Sequence, residues 1–296
     1  MYKLSEMEWN GLGKVYRDGV FEYFGLLNYT NAPGYILSFY GNTAFKGHLN
    51  NEKIKCVICT EELAHTLPAH IEGIVISENP LFCFWQMHNL YGKSEKYQFK
   101  TEIGSGAKIS DKAYISPNGV VIGKNAVIEE FVSIKEGTRI GDNVIVRSGS
   151  VLGQDCFIVS RNEGEIYLSS LYGGVKIGSN VYIGSNSVIT RGTIEWFDTY
   201  IDNGVKIDAN CCISHNVFVG KNSMICDGVL ISGDCHIGEE VWMSPGVRTT
   251  NSITVGDNVN LMLGTIARKD IEDNMVAVGE QIYRRDIYNA IRRMKK

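Results

Sequence analysis

The sequence lacks any long apolar run and any excess of positive charge. Its 296 residues include 29 Lys and Arg against 33 Asp and Glu, which leaves a net charge of −4. This balance gives no general reason to expect nucleic acid or an anionic membrane as a partner. No stretch is apolar over the roughly 20 residues that a membrane-spanning helix needs. The N-terminal MYKLSEMEWNG has no apolar signal segment, so we expect a cytoplasmic protein.

Clustered metal ligands are also missing. Cys56 and Cys59 form a CxxC motif, but no second Cys or His pair lies nearby, and KCVICT alternates like a buried strand. A chain of this length can bury a core without disulfides, so we interpret the eight cysteines as reduced thiols. We therefore expect no metal cofactor.

Short apolar runs after Gly34 predict a small α/β domain in residues 1–100. These runs are rich in β-branched residues and are bounded by turn-forming residues, as strands are. They are GYILSFY, KCVICT and GIVISENP. A helix is predicted to begin at Asn79-Pro80 and to include PLFCFWQMHNLYG. Strands that alternate with helical segments are typical of α/β domains.

Residues 101–265 repeat with a period of six. Counting in sixes from Ile177 to Leu261 meets an apolar residue at every position except Glu195 and Thr249. This period fits neither a helix nor a lone strand, but it fits a triangular parallel solenoid in which three repeats make one coil. Roughly 25 repeats predict about eight coils. The residue after the apolar one is often glycine or aspartate, which we expect to help the chain turn the corner.

Two interruptions and a distinct ending complete the pattern. Residues 159–176 hold no clean repeat, and residues 194–200 put Glu195 where an apolar residue belongs. Both are predicted to be loops, where function tends to reside. Residues 266–296 are predicted to form a terminal coil and a C-terminal helix that caps the solenoid, because isoleucines recur there at roughly helical spacing. They are Ile282, Ile287 and Ile291.

Several segments resemble those of the left-handed β-helix acyltransferases. VITRGTIEWFDTYIDNGVKIDANCCISHNVFVG is similar to the family's core segment and includes its IxHN motif, while GQDCF and LSFYGNTAFKGHL resemble its loop and its nucleotide-binding domain. The likeness is greatest to UDP-3-O-acylglucosamine N-acyltransferase and to N-acyltransferases of nucleotide-linked amino sugars. It implies a left-handed parallel β-helix, a homotrimer with sites in the grooves between prisms, a nucleotide-sugar acceptor and an acyl thioester donor.

The IxHN motif points to His215 as a general base. This histidine comes two residues after the inward Ile213, so it should lie on an outer surface, where an ordinary surface histidine is the alternative. A sugar ammonium must lose a proton before it attacks a thioester, and histidine titrates in the right range. One and two coils further on, the same column holds Gly233 and Asn251.

The resemblance gives the other residues of the column their expected roles. It implies that the Gly233 N–H donates to the oxyanion, although a corner glycine is the alternative. Asn216 and Asn251 are expected to bind substrate or donor, although stacked surface asparagines would look the same. In similar enzymes a basic residue after the last coil meets coenzyme A phosphates, a role that falls here to Arg268 and Lys269 unless they are solvated surface charges.

The resemblance also implies a nucleotide site in the first domain. Phe39, Asn42 and Phe45 stand where the family's FxxNxxY binds uridine. An aromatic face for the base and an amide for its pyrimidine edge make physical sense. Phe45 lacks the hydroxyl of the family's tyrosine and therefore cannot make that hydrogen bond. Core aromatics of a small domain are the alternative interpretation.

Three departures bear on the substrates. The segment RTTNSIT has no histidine where the lipid A enzyme has its second one, and the family's GFGF element is kept only in part, as DCFIV. The ending GTIARKDIEDNMVAVG resembles that of transferases that use coenzyme A. These departures favour a short acyl-CoA donor and an acceptor such as a dTDP-3-amino-3,6-dideoxyhexose for surface polysaccharides. UDP-3-O-acylglucosamine with acyl carrier protein is the alternative.

Two other functions fit a solenoid of this kind. A zinc hydratase of the γ-carbonic anhydrase type needs three histidines around one metal, whereas the repeats contain only His215 and His236, which is out of column. A non-catalytic binding scaffold would not need IxHN or a nucleotide-type first domain. We therefore favour an acyltransferase.

Overall fold

The computed structural model describes residues 1–92 and 97–294. Internal contacts divide the chain into two compact units. The first unit comprises Met1–Ser94, Phe157–Tyr172 and Ile194–Phe197, and the second comprises Glu95–Cys156, Gly173–Thr193 and Asp198–Lys296. The predicted boundaries 1–100, 101–265 and 266–296 do not anticipate that parts of both interruptions group with the first unit. Lys295 and Lys296, at the end of the predicted last segment, lie outside the described residues.

A five-stranded mixed sheet forms the centre of the first unit. Its first strand is antiparallel to its neighbour and the remaining pairs are parallel. In order across the sheet, the strands are Lys14–Arg17, Gly73–Ile76, Ile54–Cys59, Ile36–Tyr40 and Tyr23–Phe24. Two antiparallel pairs are separate from it, Tyr2–Lys3 with Val20–Phe21 and Val159–Asn162 with Glu165–Leu168. This is the α/β architecture that the sequence predicts.

The predicted helix after Asn79 is present as Pro80–Tyr91. The Asn79 side chain accepts a hydrogen bond from the Phe82 N–H at 3.2 Å, and proline is well tolerated in the first turn, where its missing N–H costs nothing. The helix packs Phe84 against Phe24 and Phe39 in the core. The other helical segments of the first unit are shorter, namely Leu4–Glu6, Thr43–Asn50 and Glu61–Ala64.

A buried histidine lies in this core. The His88 side chain is 0% exposed, and the rings of Phe24 and Trp85 lie 5.4 and 5.3 Å away, centre to centre. A carboxylate oxygen of Glu195 is 3.9 Å from its Nε2. Burial lowers the pKa of His88 to about 3, although the Ser170 backbone favours the charged form. The ring is therefore neutral at pH 7.

The second unit is a parallel β-helix with three sheets. Strands of the first sheet are Glu102–Ile103, Val121–Ile122, Thr138–Ile140, Val175–Ile177, Thr199–Ile201, Phe218–Val219, His236–Ile237 and Thr254–Val255. Strands of the second sheet are Lys108–Ile109, Val127–Ile128, Ile145–Val146, Tyr182–Ile183, Lys206–Ile207, Met224–Ile225, Trp242–Met243, Asn260–Leu261, Met275–Val278 and Gln281–Arg284. Strands of the third sheet are Tyr114–Ile115, Ser133–Ile134, Val151–Gln154, Val188–Thr190, Cys212–Ile213, Leu230–Ile231, Arg248–Thr249 and Ile266–Ala267.

The apolar residue of each repeat points into the prism, as predicted. Ile213 and Ile231 are paired across neighbouring coils and are fully buried, whereas Met224, which precedes an inward residue, is 43% exposed. The expected role of the following glycine is wrong. A Cβ on Gly123 would overlap the backbone of the next coil, so glycine is there for close stacking. The residue two places later, such as Asn125, turns the corner with a positive φ of 54°.

The two interruptions differ in length, and this explains the phase of the repeats. Val188 pairs with Cys212, so that coil is six residues longer than the usual 18 and keeps its phase. Glu195 is therefore not an inward residue of the solenoid, and it belongs to the first unit. The preceding coil pairs Val151 with Val188 and is 19 residues longer than usual, which shifts the phase by one. A β-bulge at Gly153, where φ is +82°, lies in the strand that enters this insertion.

The C-terminal end differs from the prediction. Met275–Val278 and Gln281–Arg284 form an antiparallel pair, and the helix begins only at Arg285 and ends at Met294. Ile282 is thus in a strand, because a hairpin at Gly279 continues the second sheet and pairs its edge. The helix contains no buried residue. The hairpin, which pairs with the strand before it, therefore covers the last coil of this sheet instead of the helix. Within residues 1–92 and 97–294, no helix has the length and apolarity required to cross a membrane.

We expect the buried His88 to make the first unit sensitive to acid. The unfolded chain binds a proton at this position below about pH 6.5, whereas the folded chain does not until about pH 3. The free energy of unfolding should therefore decrease as the pH is lowered through this window. This group contributes up to about 1.4 kcal/mol per pH unit. Denaturant unfolding between pH 7.5 and 5 should show a shallower loss for His88→Leu than for the wild type. Parallel losses would contradict the assignment.

Candidate active site

His215 lies at the corner where the chain passes from the third sheet to the first. Strand Cys212–Ile213 ends just before it and strand Phe218–Val219 begins just after it. Both interruptions leave the solenoid at this same corner in the two preceding coils, after Val151–Gln154 and Val188–Thr190. The corner is therefore where the solenoid departs most from regular repeats.

Acceptor atoms surround one nitrogen of the His215 ring. Its Nδ1 lies 3.0 Å from Oδ1 of Asn216 and 3.9 Å from a carboxylate oxygen of Asp234. Both atoms accept hydrogen bonds, so Nδ1 carries the proton and Nε2 presents its lone pair. The His215 side chain is only 13% exposed, and a developing positive charge on it would be stabilised by Asp234. Asn216, predicted to bind substrate or donor, is itself buried.

Gly233 stacks directly over the imidazole. The Asp234 N–H donates to the His215 carbonyl at 2.9 Å, and the Ser252 N–H donates to the Gly233 carbonyl at 3.0 Å, so the coils are in register. A Cβ on Gly233 would overlap the His215 ring. Glycine is therefore required here by the close approach of the ring and not by the turn of the chain. Across the part of the chain that is described, the Gly233 N–H makes no hydrogen bond.

The column continues above Gly233 with exposed polar groups. Arg248 pairs with Leu230 below and Ile266 above, which brings Asn251 and Lys269 into the column of His215. Both side chains are exposed. Arg268 is in the neighbouring column and is also exposed, with Glu280 3.6 Å away. Polar groups thus extend from the histidine toward the C-terminal end of the solenoid.

Arg191 occupies the column one coil below His215. Because of the six-residue insertion, Arg191 precedes His215 by 24 residues instead of 18. Counting back by one regular coil therefore does not find it. Its buried guanidinium donates from Nε to the Gly153 carbonyl at 3.0 Å and lies 3.2 Å from Asp155. A cavity of about 390 Å³ opens beside it. The lining residues are Tyr114, Ser116, Lys135, Glu136, Gly153, Gln154, Asp155 and Arg191.

The three residues predicted to bind a nucleotide lie near one another in the first unit's sequence but differ in their surroundings. Phe39 is half-buried and packs its ring 5.2 Å from that of Phe84, so part of it serves the core. Asn42 is exposed and caps Thr43–Asn50 by accepting from the Ala44 N–H at 2.9 Å. Phe45 is 53% exposed. Asn42 and Phe45 are thus open to solvent, and Phe39 is only partly so.

His236 lies outside the column of His215, on the first sheet. Its ring stacks on Phe218 with centres 4.5 Å apart, and Phe218 stacks on Tyr200 at 5.5 Å. Burial lowers the pKa of His236, although Asp257 acts in the opposite direction. In the described ranges, no group of three or more His, Cys, Asp or Glu side chains is placed to hold a metal ion.

Gly233→Ala should move the imidazole of His215, because the added methyl group would occupy the space of the ring. We expect displaced Nε2 and Cε1 signals of His215 in NMR spectra, with a folded protein. Gly47→Ala is the matched control, because a Cβ there meets nothing. Unchanged His215 signals in Gly233→Ala would show that the ring does not contact this glycine in solution.

Comparisons with known proteins agree with this architecture. Residues 119–154 match the family described as bacterial transferase hexapeptide (six repeats), and residues 174–217 match the hexapeptide repeat of succinyl-transferase. UDP-3-O-acylglucosamine N-acyltransferase of Coxiella burnetii is 27% identical over 212 residues, which are 62% of this chain and 60% of that protein. The enzyme of the same name from Polynucleobacter asymbioticus is 33% identical over 122 residues, covering 38% and 34%.

A solved structure extends the comparison to the fold. Arabidopsis UDP-N-acetylglucosamine acyltransferase superposes with a TM-score of 0.55 at 17% identity, over 66% of this chain and 67% of that one. The similarities confirm the resemblance to hexapeptide-repeat acyltransferases and support the left hand of the helix. The chain spans about 60% of the length of the first curated relatives that it matches.

Proposed function

We propose that the chain transfers an acyl group from an acyl thioester to the amine of a nucleotide-linked amino sugar. The observation that carries the proposal is the His215 ring, whose Nε2 lies against Gly233, a residue whose N–H makes no hydrogen bond within the described residues. A base and an oxyanion donor on the same corner are what aminolysis of a thioester needs. The names of the curated relatives support the same reaction class.

In the proposed step, Nε2 of His215 takes a proton from the acceptor amine as its nitrogen attacks the thioester carbon. The C–N bond forms, and the carbonyl oxygen becomes an oxyanion to which the Gly233 N–H donates. The intermediate then collapses, the C–S bond breaks, and the imidazolium returns its proton to the leaving thiolate. Asp234, 3.9 Å from Nδ1, stabilises the imidazolium between these steps. An oxyanion donor of this kind is worth about 3–4 kcal/mol.

For the acceptor, the relatives favour a UDP-3-O-acylglucosamine-like sugar over the dTDP-linked sugar that the sequence suggests. Both are nucleotide-linked, and in this proposal Phe39, Asn42 and Phe45 bind the nucleotide. The exposed Phe45 offers an aromatic face for the base but no hydroxyl. Asn42 keeps its Nδ2 amide for the pyrimidine edge while its Oδ1 caps the following turn.

Two donors are candidates. Acyl carrier protein is the donor that goes with a UDP-3-O-acylglucosamine acceptor, and a short acyl-CoA is the second candidate. The feature that favours a CoA-type donor is the basic end of the column, where Lys269 is three coils above His215, or about 14 Å at the spacing of paired strands. A cation at this distance suits a phosphate of the donor while its thioester lies at Gly233. Arg268 and Asn251 would line the same path.

The assembly is part of the proposal. A cytoplasmic homotrimer would put this corner in a groove between neighbouring prisms and let a second copy complete the site. Sedimentation equilibrium measures the assembly directly, and a monomer at working concentration would contradict it.

His215→Ala should lower kcat about 10²–10⁴-fold, because the amine then loses its general base. The assay pairs each acceptor, UDP-linked and dTDP-linked, with each donor, acyl-CoA and acyl carrier protein. His236→Ala, in the other histidine of the repeats, should retain activity. An equal loss in both variants, or none in His215→Ala, would remove His215 from the proposed mechanism.

Lys269→Ala should raise KM for the thioester donor several-fold and leave KM for the acceptor unchanged, because one charge contact with a phosphate is lost. Arg268→Ala should have the same effect if both side chains face the donor. Lys221→Ala, an exposed lysine at another corner, serves as the matched control. A change only in KM for the acceptor would contradict the proposal, because it would place the acceptor rather than the donor beside Lys269.

A further inference from the structure

Two threonines of the preceding coil hold the asparagine beside His215. The Thr193 Oγ1 and N–H donate to Asn216 Oδ1 at 2.9 and 3.3 Å, and the Asn216 N–H donates to Thr199 Oγ1 at 2.9 Å. Asn216 is 3% exposed, Thr193 is 1% exposed and Thr199 is fully buried. Water therefore competes little for these bonds, and their geometry is fixed by the fold.

These bonds determine which atom of the Asn216 amide faces the histidine. A backbone N–H can only donate, so the atom that meets Thr193 must be the amide oxygen rather than the NH₂ group. The same oxygen lies 3.0 Å from Nδ1 of His215. Nδ1 must then carry the hydrogen, which leaves Nε2 as the proton acceptor. If the amide turned over, its NH₂ group would favour the opposite tautomer.

The arrangement differs from that of the asparagines stacked at another corner of the solenoid. Some asparagines with positive φ bond to one another along an exposed stack, as Asn125 does with Asn143 and Asn143 with Asn180. Asn216 has the same φ, +58°, but its side chain turns to Thr193. Thr193 and Thr199 lie on either side of residues 194–198, in the corner that the six-residue insertion lengthens. The bonds to Asn216 thus also connect the two ends of that insertion.

We propose that Thr193 and Thr199 are positioning residues that set the tautomer and orientation of His215 through Asn216. The inference rests on the proposed function in that His215 acts as the base. Among the described residues, neither threonine hydrogen-bonds to the imidazole, and Thr193 acts by fixing the amide oxygen. Thr199 acts by holding the backbone of the turn in its left-handed conformation.

Thr193→Val removes the hydroxyl with little change in shape. We expect kcat to fall about tenfold, the scale of one hydrogen bond, with KM for both substrates unchanged. Thr193→Ser should restore kcat. The matched control is Thr190→Val in the same coil, because the buried Thr190 hydroxyl has no hydrogen-bond partner within the described residues. Equal kcat in Thr193→Val and the wild type would overturn the proposal, as would equal losses in Thr193→Val and Thr190→Val.

A double-mutant cycle tests the route through Asn216. Asn216→Ala should lower kcat at least as much as Thr193→Val, and adding Thr193→Val to it should cost nothing further. Additive losses would show that Thr193 acts independently of Asn216 and would overturn the proposal.

A spectroscopic measurement separates this inference from the proposed reaction. The ¹⁵N shifts of His215 in the resting wild-type protein should report the tautomer with the proton on Nδ1, and Thr193→Val should shift them toward a mixture. Thr193→Ser and Thr190→Val should retain the wild-type shifts. This readout needs no turnover, so it remains decisive even if the wild type transfers no acyl group with any donor and the proposed function fails. Identical shifts in Thr193→Val and the wild type would overturn the inference.

Discussion

Parallel pairing between successive coils is the constraint on which the site depends. Each strand bonds to its equivalents one coil below and one coil above, about 4.8 Å away, so every outward residue has fixed neighbours in its column. His215 therefore has Arg191 beneath it and Gly233 above it, and a side chain at Gly233 would overlap its ring. The apolar residues inside the prism fix this register, since a slip of one residue would expose all of them.

Much of this could be predicted from spacing alone. The six-residue period gives the prism, the coil count and the column that joins His215, Gly233, Asn251 and Lys269, since those coils contain no insertion. The same arithmetic counts Glu195 as a repeat position, because an insertion of one whole repeat leaves the phase intact, and only its polar side chain indicates the loop that the structure contains. The helical spacing of the last isoleucines misassigns Ile282, which lies in strand Gln281–Arg284.

The remaining residues of the site are set by contacts that spacing does not encode. Thr193 meets Asn216 across 23 residues, a separation that includes the insertion, and Thr199 meets it across 17 residues. Asp234 is hard to single out from sequence because acidic and small residues are common at such corners. The polar cavity beside Arg191 requires four successive coils to be in place. These features belong to the packing of particular side chains rather than to the repeat.

The bulge at Gly153 shows how this solenoid accommodates added chain. An insertion of six residues re-enters the next coil in step, whereas the 19-residue insertion returns one residue out of step, and the strand that enters it contains the bulge. Gly153, with φ at +82°, has the backbone freedom for such an irregularity. The insertion of one whole repeat thus needs no adjustment of the strand before it, whereas the one residue beyond whole repeats is taken up by a glycine with a left-handed backbone.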